Sequence, residues 1–204
     1  MFDRITPTNK ALILANIAVF ALQYLLGNFF EVHFALWPPQ AAEFGYPEFR
    51  PWQLLTYGFM HDTRNLAHIF FNMFALFMFG SDIERLFGPK RYLTYYLVCV
   101  IGAALMHLIV VNAAGLPPLP TVGASGGVFG LLLAFGMAWP KRMIMLLFPP
   151  IPMPAWLFVT LYGLLELYLG VTSTASGVAH FAHLGSMATG FVTIRYWQAQ
   201  RRRR

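Results

Sequence analysis

Long apolar runs alternate with short polar breaks along the chain. The runs fill residues 11–27, 66–83, 92–111, 122–139, 155–169 and 177–197. Each approaches the ~20 residues that a helix needs to cross a bilayer core. Prolines punctuate the breaks, at Pro117, Pro118 and Pro120 and again at Pro149, Pro150, Pro152 and Pro154. The pattern predicts an all-α membrane protein with six transmembrane helices. No polar block is long enough to fold separately, so residues 1–204 are expected to form one domain. A cleaved signal peptide is the rival reading of 11–27. Its apolar core is long for one, and no small-x-small cleavage site follows.

The connection from Phe29 to about Asn65 is the longest. It mixes Phe34, Trp37, Phe44, Tyr46, Phe49 and Trp52 with prolines and acidic residues. Aromatic rings of this kind sit at the headgroup level. The stretch reads as a long, structured interfacial loop with a short helix.

Composition supports the membrane class. The chain is 58% apolar and 11% charged, against about 25% charged for a soluble domain. The single cysteine, Cys99, excludes an intrachain disulfide. The net charge of +6 is no nucleic-acid signal here, because position matters more than the sum. Twelve of the 14 Lys and Arg fall on the head, the second and fourth connections and the tail. Only Arg50 and Arg64 fall on the other side. The positive-inside rule then predicts that both termini are cytoplasmic.

Candidate chemistry lies in one shallow layer. Ser125 opens the fourth run inside Gly123-Ala124-Ser125-Gly126-Gly127, and His183 lies near the start of the sixth. His68 and Asn72 lie near the start of the second and share a helix face at i and i+4. At ~1.5 Å per residue, all four fall within roughly 5–10 Å of the outer boundary. Polar residues inside membranes face the bundle interior or a wet cavity. A serine hydroxyl becomes a nucleophile when a base takes its proton. His183 can be that base if the fourth and sixth helices touch, and Gly126, Gly130, Ala182, Ser186 and Gly190 are small enough to allow it. His68, Asn72 and the Ser125 N–H can then stabilise an oxyanion. The bland reading is close helix packing through small residues, with Asn72 as interhelical glue. His33, His61 and His107 read as structural. His180 and His183 at i and i+3 could ligate a metal. No His-Glu-x-x-His pattern is present and no carboxylate flanks the pair in sequence, so no metal or cofactor is expected.

Taken together, these residues resemble a bacterial rhomboid, an intramembrane serine protease with a six-helix core. His68-Ile69-Phe70-Phe71-Asn72 resembles the family's His-x-x-x-Asn. Gly80, Glu84 and Gly88 resemble its Gly-x-x-x-Glu-x-x-x-Gly. Gly123 to Gly126 resembles the nucleophile motif, and Ala182 to Gly190 the motif carrying the base. The resemblance implies Ser125 as nucleophile and His183 as base, in a dyad without a carboxylate. It implies His68 and Asn72 as oxyanion support, transmembrane protein substrates in a lipid bilayer, and a bacterial cell membrane. The first loop would be membrane-embedded, and the fifth helix would be a side gate. Two positions depart from the pattern. Gln53 stands where an arginine is usual, with Arg50 as a possible substitute, and Ser186 stands where a glycine is usual.

Two rivals remain: a catalytically silent relative that binds membrane clients, and a transporter or proton path using the histidines and Glu166. Glu166 lies close to the depth of His183. The dyad and the gate together lead to the expectation that Glu166→Gln keeps activity within about tenfold, against about 10⁴ for loss of a true triad carboxylate.

Overall fold

The computed structural model describes residues 5–145, 150–172 and 177–203. Within these, nine α-helices and one small hairpin follow the apolar runs. Helix α1 (Pro7–Leu26) begins earlier than the apolar run, because Pro7 suits a first turn. Beside Leu12, its buried face carries a polar stripe: Asn9, Asn16 and Gln23 recur every seven residues. Leu14, Ile17 and Leu25 face outward instead. A helix whose polar stripe is inside and whose apolar face is outside has lipid as its solvent.

The first loop carries α2 (Asn28–Phe34), a 3-10 turn (Pro39–Phe44), α3 (Gln53–Thr56) and a second 3-10 turn (Tyr57–Phe59). Its own core is Ala35, Trp37, Ala41 and Met60. Gln53 is fully buried and ties the loop together. Its Oε1 accepts from the backbone N–H of Trp37 and Arg50 at 3.3 and 3.1 Å. Its amide donates to the Glu48 carbonyl. The expectation that Arg50 substitutes for the missing arginine is therefore corrected. Arg50 is exposed and stacks over Trp52, while Gln53 itself makes the buried bonds.

Helix α4 (Leu66–Ala75), a π-helical turn (Leu76–Gly80) and α5 (Ser81–Phe87) form one continuous stretch. Asn65 caps it by accepting from the Ala67 N–H. The π turn is where α1 crosses. Asn9 donates to the Leu76 carbonyl at 2.9 Å, and its Oδ1 accepts from Tyr92. Gly80 leaves room for this: a β-carbon there would stand 2.2 Å from Asn9 Oδ1. Glu84 then accepts from the backbone N–H of Thr8 and Asn9 at 3.1 and 2.7 Å, and from the Thr6 hydroxyl. The Gly80–Glu84 motif is thus a mechanical anchor for the start of α1.

Helix α6 (Pro89–Ala113) holds Tyr92, Tyr95, Tyr96 and Cys99 wholly inside. It packs on α7 (Ser125–Ala138) and α9 (Gly177–Arg202), and α9 also touches α8 (Ala155–Thr172). The hairpin of β1 (Met143–Met145) and β2 (Pro152–Pro154) pairs Met143 with Pro154. Among the described residues, α1, the stretch 66–87, α6 and α8 are long and apolar enough to cross a membrane. Helix α7 is apolar but has only 14 residues. Helix α9 has 26 and ends in Arg201 and Arg202. The protein is an all-α membrane protein. Helix α8 buries only Ala155, Val159, Glu166 and Gly170, and its leucines face outward.

Candidate active site

Ser125 is the first residue of α7. The chain reaches it through an irregular segment stitched to the first loop. Leu36 and Thr121 exchange both backbone bonds at 3.0 Å, and the Gly123 N–H donates to the Tyr57 carbonyl at 3.0 Å. The Tyr57 hydroxyl in turn donates to the Val100 carbonyl on α6. A helix N-terminus leaves its first N–H groups without intrahelical acceptors. The Ser125 N–H is one of them, beside its own hydroxyl.

The expected contact between α7 and α9 is made by the small residues. A β-carbon at Gly130 would stand 2.3 Å from Cys99 Sγ and 3.3 Å from the Ser186 hydroxyl. Ser186 donates to the Gly126 carbonyl across the same interface. The departure from glycine at this position therefore adds a hydrogen bond instead of a clash. The close approach sets His183 Nε2 3.0 Å from Ser125 Oγ. Phe129, one turn below Ser125, stacks on the His183 ring at 4.0 Å and 8°. Sequence reasoning missed Phe129, although its i+4 spacing from Ser125 was the available signal.

His68 faces the same point from α4. Its Nδ1 accepts from the Asp62 backbone N–H at 3.2 Å. A neutral imidazole with one acceptor nitrogen carries its proton on the other. His68 Nε2 is thereby assigned as a donor. A β-carbon at Gly123 would stand 2.9 Å from that nitrogen and 3.5 Å from Ser125 Oγ. Gly123 also has φ +143°, which favours glycine. Its missing side chain keeps open the space between the donor and the nucleophile. Asn72 is buried, spends one amide N–H on the His68 carbonyl, and lines the same space. The layer of Ser125, His183, His68 and Asn72 expected from depth is thus assembled around one point.

That point floors an apolar cavity of about 690 Å³. Phe71, Phe74 and Met78 form one wall, and Phe158 and Tyr162 of α8 the other. A second cavity of about 250 Å³ lies behind Ser125 and is lined by Tyr57, His107 and Thr121. Above the site, outside the membrane-spanning segments, burial holds His61 down to about 3, with the His68 imidazole adding and the Phe59 carbonyl opposing. The Arg64 N–H holds the Asp62 carboxyl below the usual carboxylate range.

One further group enters the site. Glu166 comes from α8 and is 5% exposed. Its Oε2 lies 2.8 Å from Nδ1 of His183 and 2.8 Å from Nδ1 of His180. No carboxylate flanks the histidines in sequence, but the fold supplies one from the neighbouring helix. The three ligand-type atoms lie within 4.8 Å of one another, a spacing at which they could also hold a metal ion.

The Rhomboid domain family model matches residues 48–199. The chain is 29% identical over 201 residues to RHOMBOID-like protein 12, mitochondrial, of Arabidopsis thaliana, covering 89% of this chain and 55% of that protein. It is 28% identical over 141 residues to Rhomboid protease GluP of Bacillus subtilis, covering 69% and 25%. It is 27% identical over 188 residues to Rhomboid protease GlpG of Klebsiella pneumoniae, covering 90% and 60%. The chain thus spans between a quarter and three fifths of the length of these relatives.

Proposed function

The chain belongs to the rhomboid family, and from that membership we propose that it is an intramembrane serine endopeptidase. One observation carries the reading: Ser125 Oγ meets His183 Nε2 at 3.0 Å on the floor of the apolar cavity. Ser125 Oγ attacks the scissile carbonyl, and His183 Nε2 takes its proton. The tetrahedral oxyanion receives hydrogen bonds from His68 Nε2–H, the Asn72 amide and the Ser125 N–H. His183 returns the proton to the leaving amine, and water then cleaves the acyl-enzyme. These steps call on no metal or cofactor.

The substrate is a transmembrane segment entering between the second and fifth spans. The cavity's aromatic walls suit an apolar segment, and its polar lining is limited among the described residues to Ser125, His68 and Asn72 with Asn65 and Tyr162. A helix hides its carbonyls in i to i−4 bonds, so cleavage requires local unwinding. Substrates are therefore expected to carry helix-weakening residues near the cut. The charge distribution supports both termini in the cytoplasm and a cut near the outer boundary of a bacterial cell membrane. Residues 1–204 act as one domain of six spans.

The test is labelling by a fluorophosphonate-type serine probe in detergent, read beside cleavage of a transmembrane substrate. Wild type labels and cleaves, and Ser125→Ala does neither while remaining folded. Proteolysis by purified Ser125→Ala would end this reading. A wild type that binds membrane clients without labelling would point to a silent relative.

A further inference from the structure

We infer that Glu166 is the positioning carboxylate of a Ser125–His183–Glu166 triad, with His180 as a second donor that holds the carboxylate in place. The inference rests on the serine-protease reading above and deepens it. It stands against the expectation of a dyad in which Glu166 is dispensable.

The argument starts from burial. A carboxylate that is 5% exposed inside a helical bundle needs partners. Among the described residues, Glu166 has two, and both are imidazole Nδ1 atoms at 2.8 Å. An ionised carboxylate only accepts, so both nitrogens must carry hydrogen. For His183 this fixes the tautomer. With the proton on Nδ1, the lone pair is on Nε2, the nitrogen 3.0 Å from Ser125 Oγ. The opposite tautomer would present N–H to the serine and could not take its proton. When Nε2 does take that proton, the Nδ1 proton stays where it is. Glu166 remains a carboxylate and faces the new imidazolium, a pairing worth far more in a water-poor site than in water.

The ring's orientation and its tautomer have separate causes. Phe129 fixes the plane of His183 by stacking, at 4.0 Å and 8°. Stacking cannot choose which nitrogen holds hydrogen; only Glu166 does that. His180 lies one turn before His183 on α9 and bonds the same oxygen. It limits rotation of the carboxylate while His183 changes charge. Helix α8 meets α9 closely beside this contact, where a β-carbon at Gly170 would stand 3.1 Å from the Phe181 ring.

The test uses the full-length protein in detergent with a transmembrane substrate, and compares Ser125→Ala, His183→Ala, Glu166→Gln and His180→Ala with wild type. Glu166→Gln is expected to lower kcat by about 10⁴-fold. KM should stay unchanged, because Glu166 does not touch substrate. His180→Ala should lose less than Glu166→Gln. A purely structural role would instead lower the folded fraction and leave kcat per labelled site intact. A second measurement needs no Glu166 variant. In wild type, His180 and His183 should each give a strongly deshielded Nδ1–H resonance, and the His183 resonance is the one lost in His183→Ala and kept in Ser125→Ala and His180→Ala.

If Glu166→Gln folds and keeps kcat within about tenfold, or if that resonance is missing, the triad is overturned. Activity abolished in Ser125→Ala and His183→Ala would leave the protease reading standing in that case. Loss of wild-type turnover on adding EDTA would mean that the three side chains hold a metal ion, which also overturns the triad. Proteolysis surviving in Ser125→Ala would bring down the protease reading itself.

Discussion

Two glutamates are buried in this bundle, and they are buried for different reasons. Glu84 is 4% exposed and Glu166 is 5% exposed. Glu84 accepts from the Thr6 hydroxyl and from the N–H groups of Thr8 and Asn9 at the start of α1. Those backbone donors are fixed in identity and orientation, and a helix N-terminus favours negative charge. Glu166 accepts from two imidazoles. An imidazole has a second nitrogen, so what it gives the carboxylate on one side changes what it offers on the other. A backbone N–H has no other side. The comparison teaches that the donors, more than the depth of burial, separate an anchor from a working group.

The sharpest way to break the comparison is to remove each carboxylate in turn. Glu166→Gln should show the kcat loss described above with little change in thermal stability. Glu84→Ala should do the reverse. It leaves the N–H groups of Thr8 and Asn9 without their acceptor, at a cost of about 1–3 kcal/mol each, so about 2–6 kcal/mol in all. Its kcat per folded molecule should be unchanged. The double variant should be additive, because the sites are far apart. An equal fall in kcat for Glu84→Ala would erase the distinction.

Two glycines repeat the contrast on a smaller scale. Gly123→Ala would push a β-carbon to 2.9 Å from His68 Nε2 at a φ unsuited to alanine. Because it intrudes on an oxyanion donor, it should lower kcat by about 10²–10³-fold. Gly80→Ala would press on Asn9 Oδ1 instead. Overpacking of this kind costs about 1–3 kcal/mol of stability, and kcat should survive. Steady-state kinetics beside thermal denaturation in detergent would separate the two. A kinetic defect at Gly80 would show that the anchor and the site are coupled.

His61 supplies the smallest effect. It is buried in the loop and held down to about 3, whereas an unfolded histidine titrates near 6.5. Its folded value is depressed, so the neutral form is what the fold keeps. Its contribution is present above pH 6.5 and is lost as pH falls below that value toward 3. Between pH 7 and pH 5 the loss should be about 2 kcal/mol, and His61→Leu should remove that part of the acid sensitivity. Identical melting of the two proteins at pH 5 and pH 7 would contradict it.

Much of this was legible in the sequence. Apolar runs near the length of a bilayer core announce membrane helices wherever they occur. Ser125, His183, His68 and Asn72 share a depth that can be counted along the chain; Ser125, His68 and Asn72 line one cavity, and His183 bonds Ser125 from the cavity behind it. Glu166 was legible only in depth. The glycines beside it, Gly163 and Gly170, do mark a packed face, against Met187 and Phe181. Which neighbour that face meets depends on how α8 rotates against α9, and nothing in a one-dimensional pattern carries a rotation. The π turn at Leu76–Gly80 was hidden for a similar reason, since it answers to Asn9, 67 residues away. Gln53 was read as a missing arginine because its bonds go to backbone groups, which have no letter in the sequence.

The brevity of α7 has a consequence for the lipid. Fourteen residues at ~1.5 Å each make about 21 Å of helix, some 9 Å short of a hydrocarbon core of about 30 Å. The hydrophobic mismatch must be met by local thinning of the bilayer, or by chain at hydrocarbon depth that other parts of the protein cover. The Leu36–Thr121 bridge and the Gly123–Tyr57 bond provide such cover, because they spend the backbone groups of that chain on the first loop. Membrane thickness then sets how far Ser125 lies from bulk water, and acyl-chain length becomes a control variable for this protein.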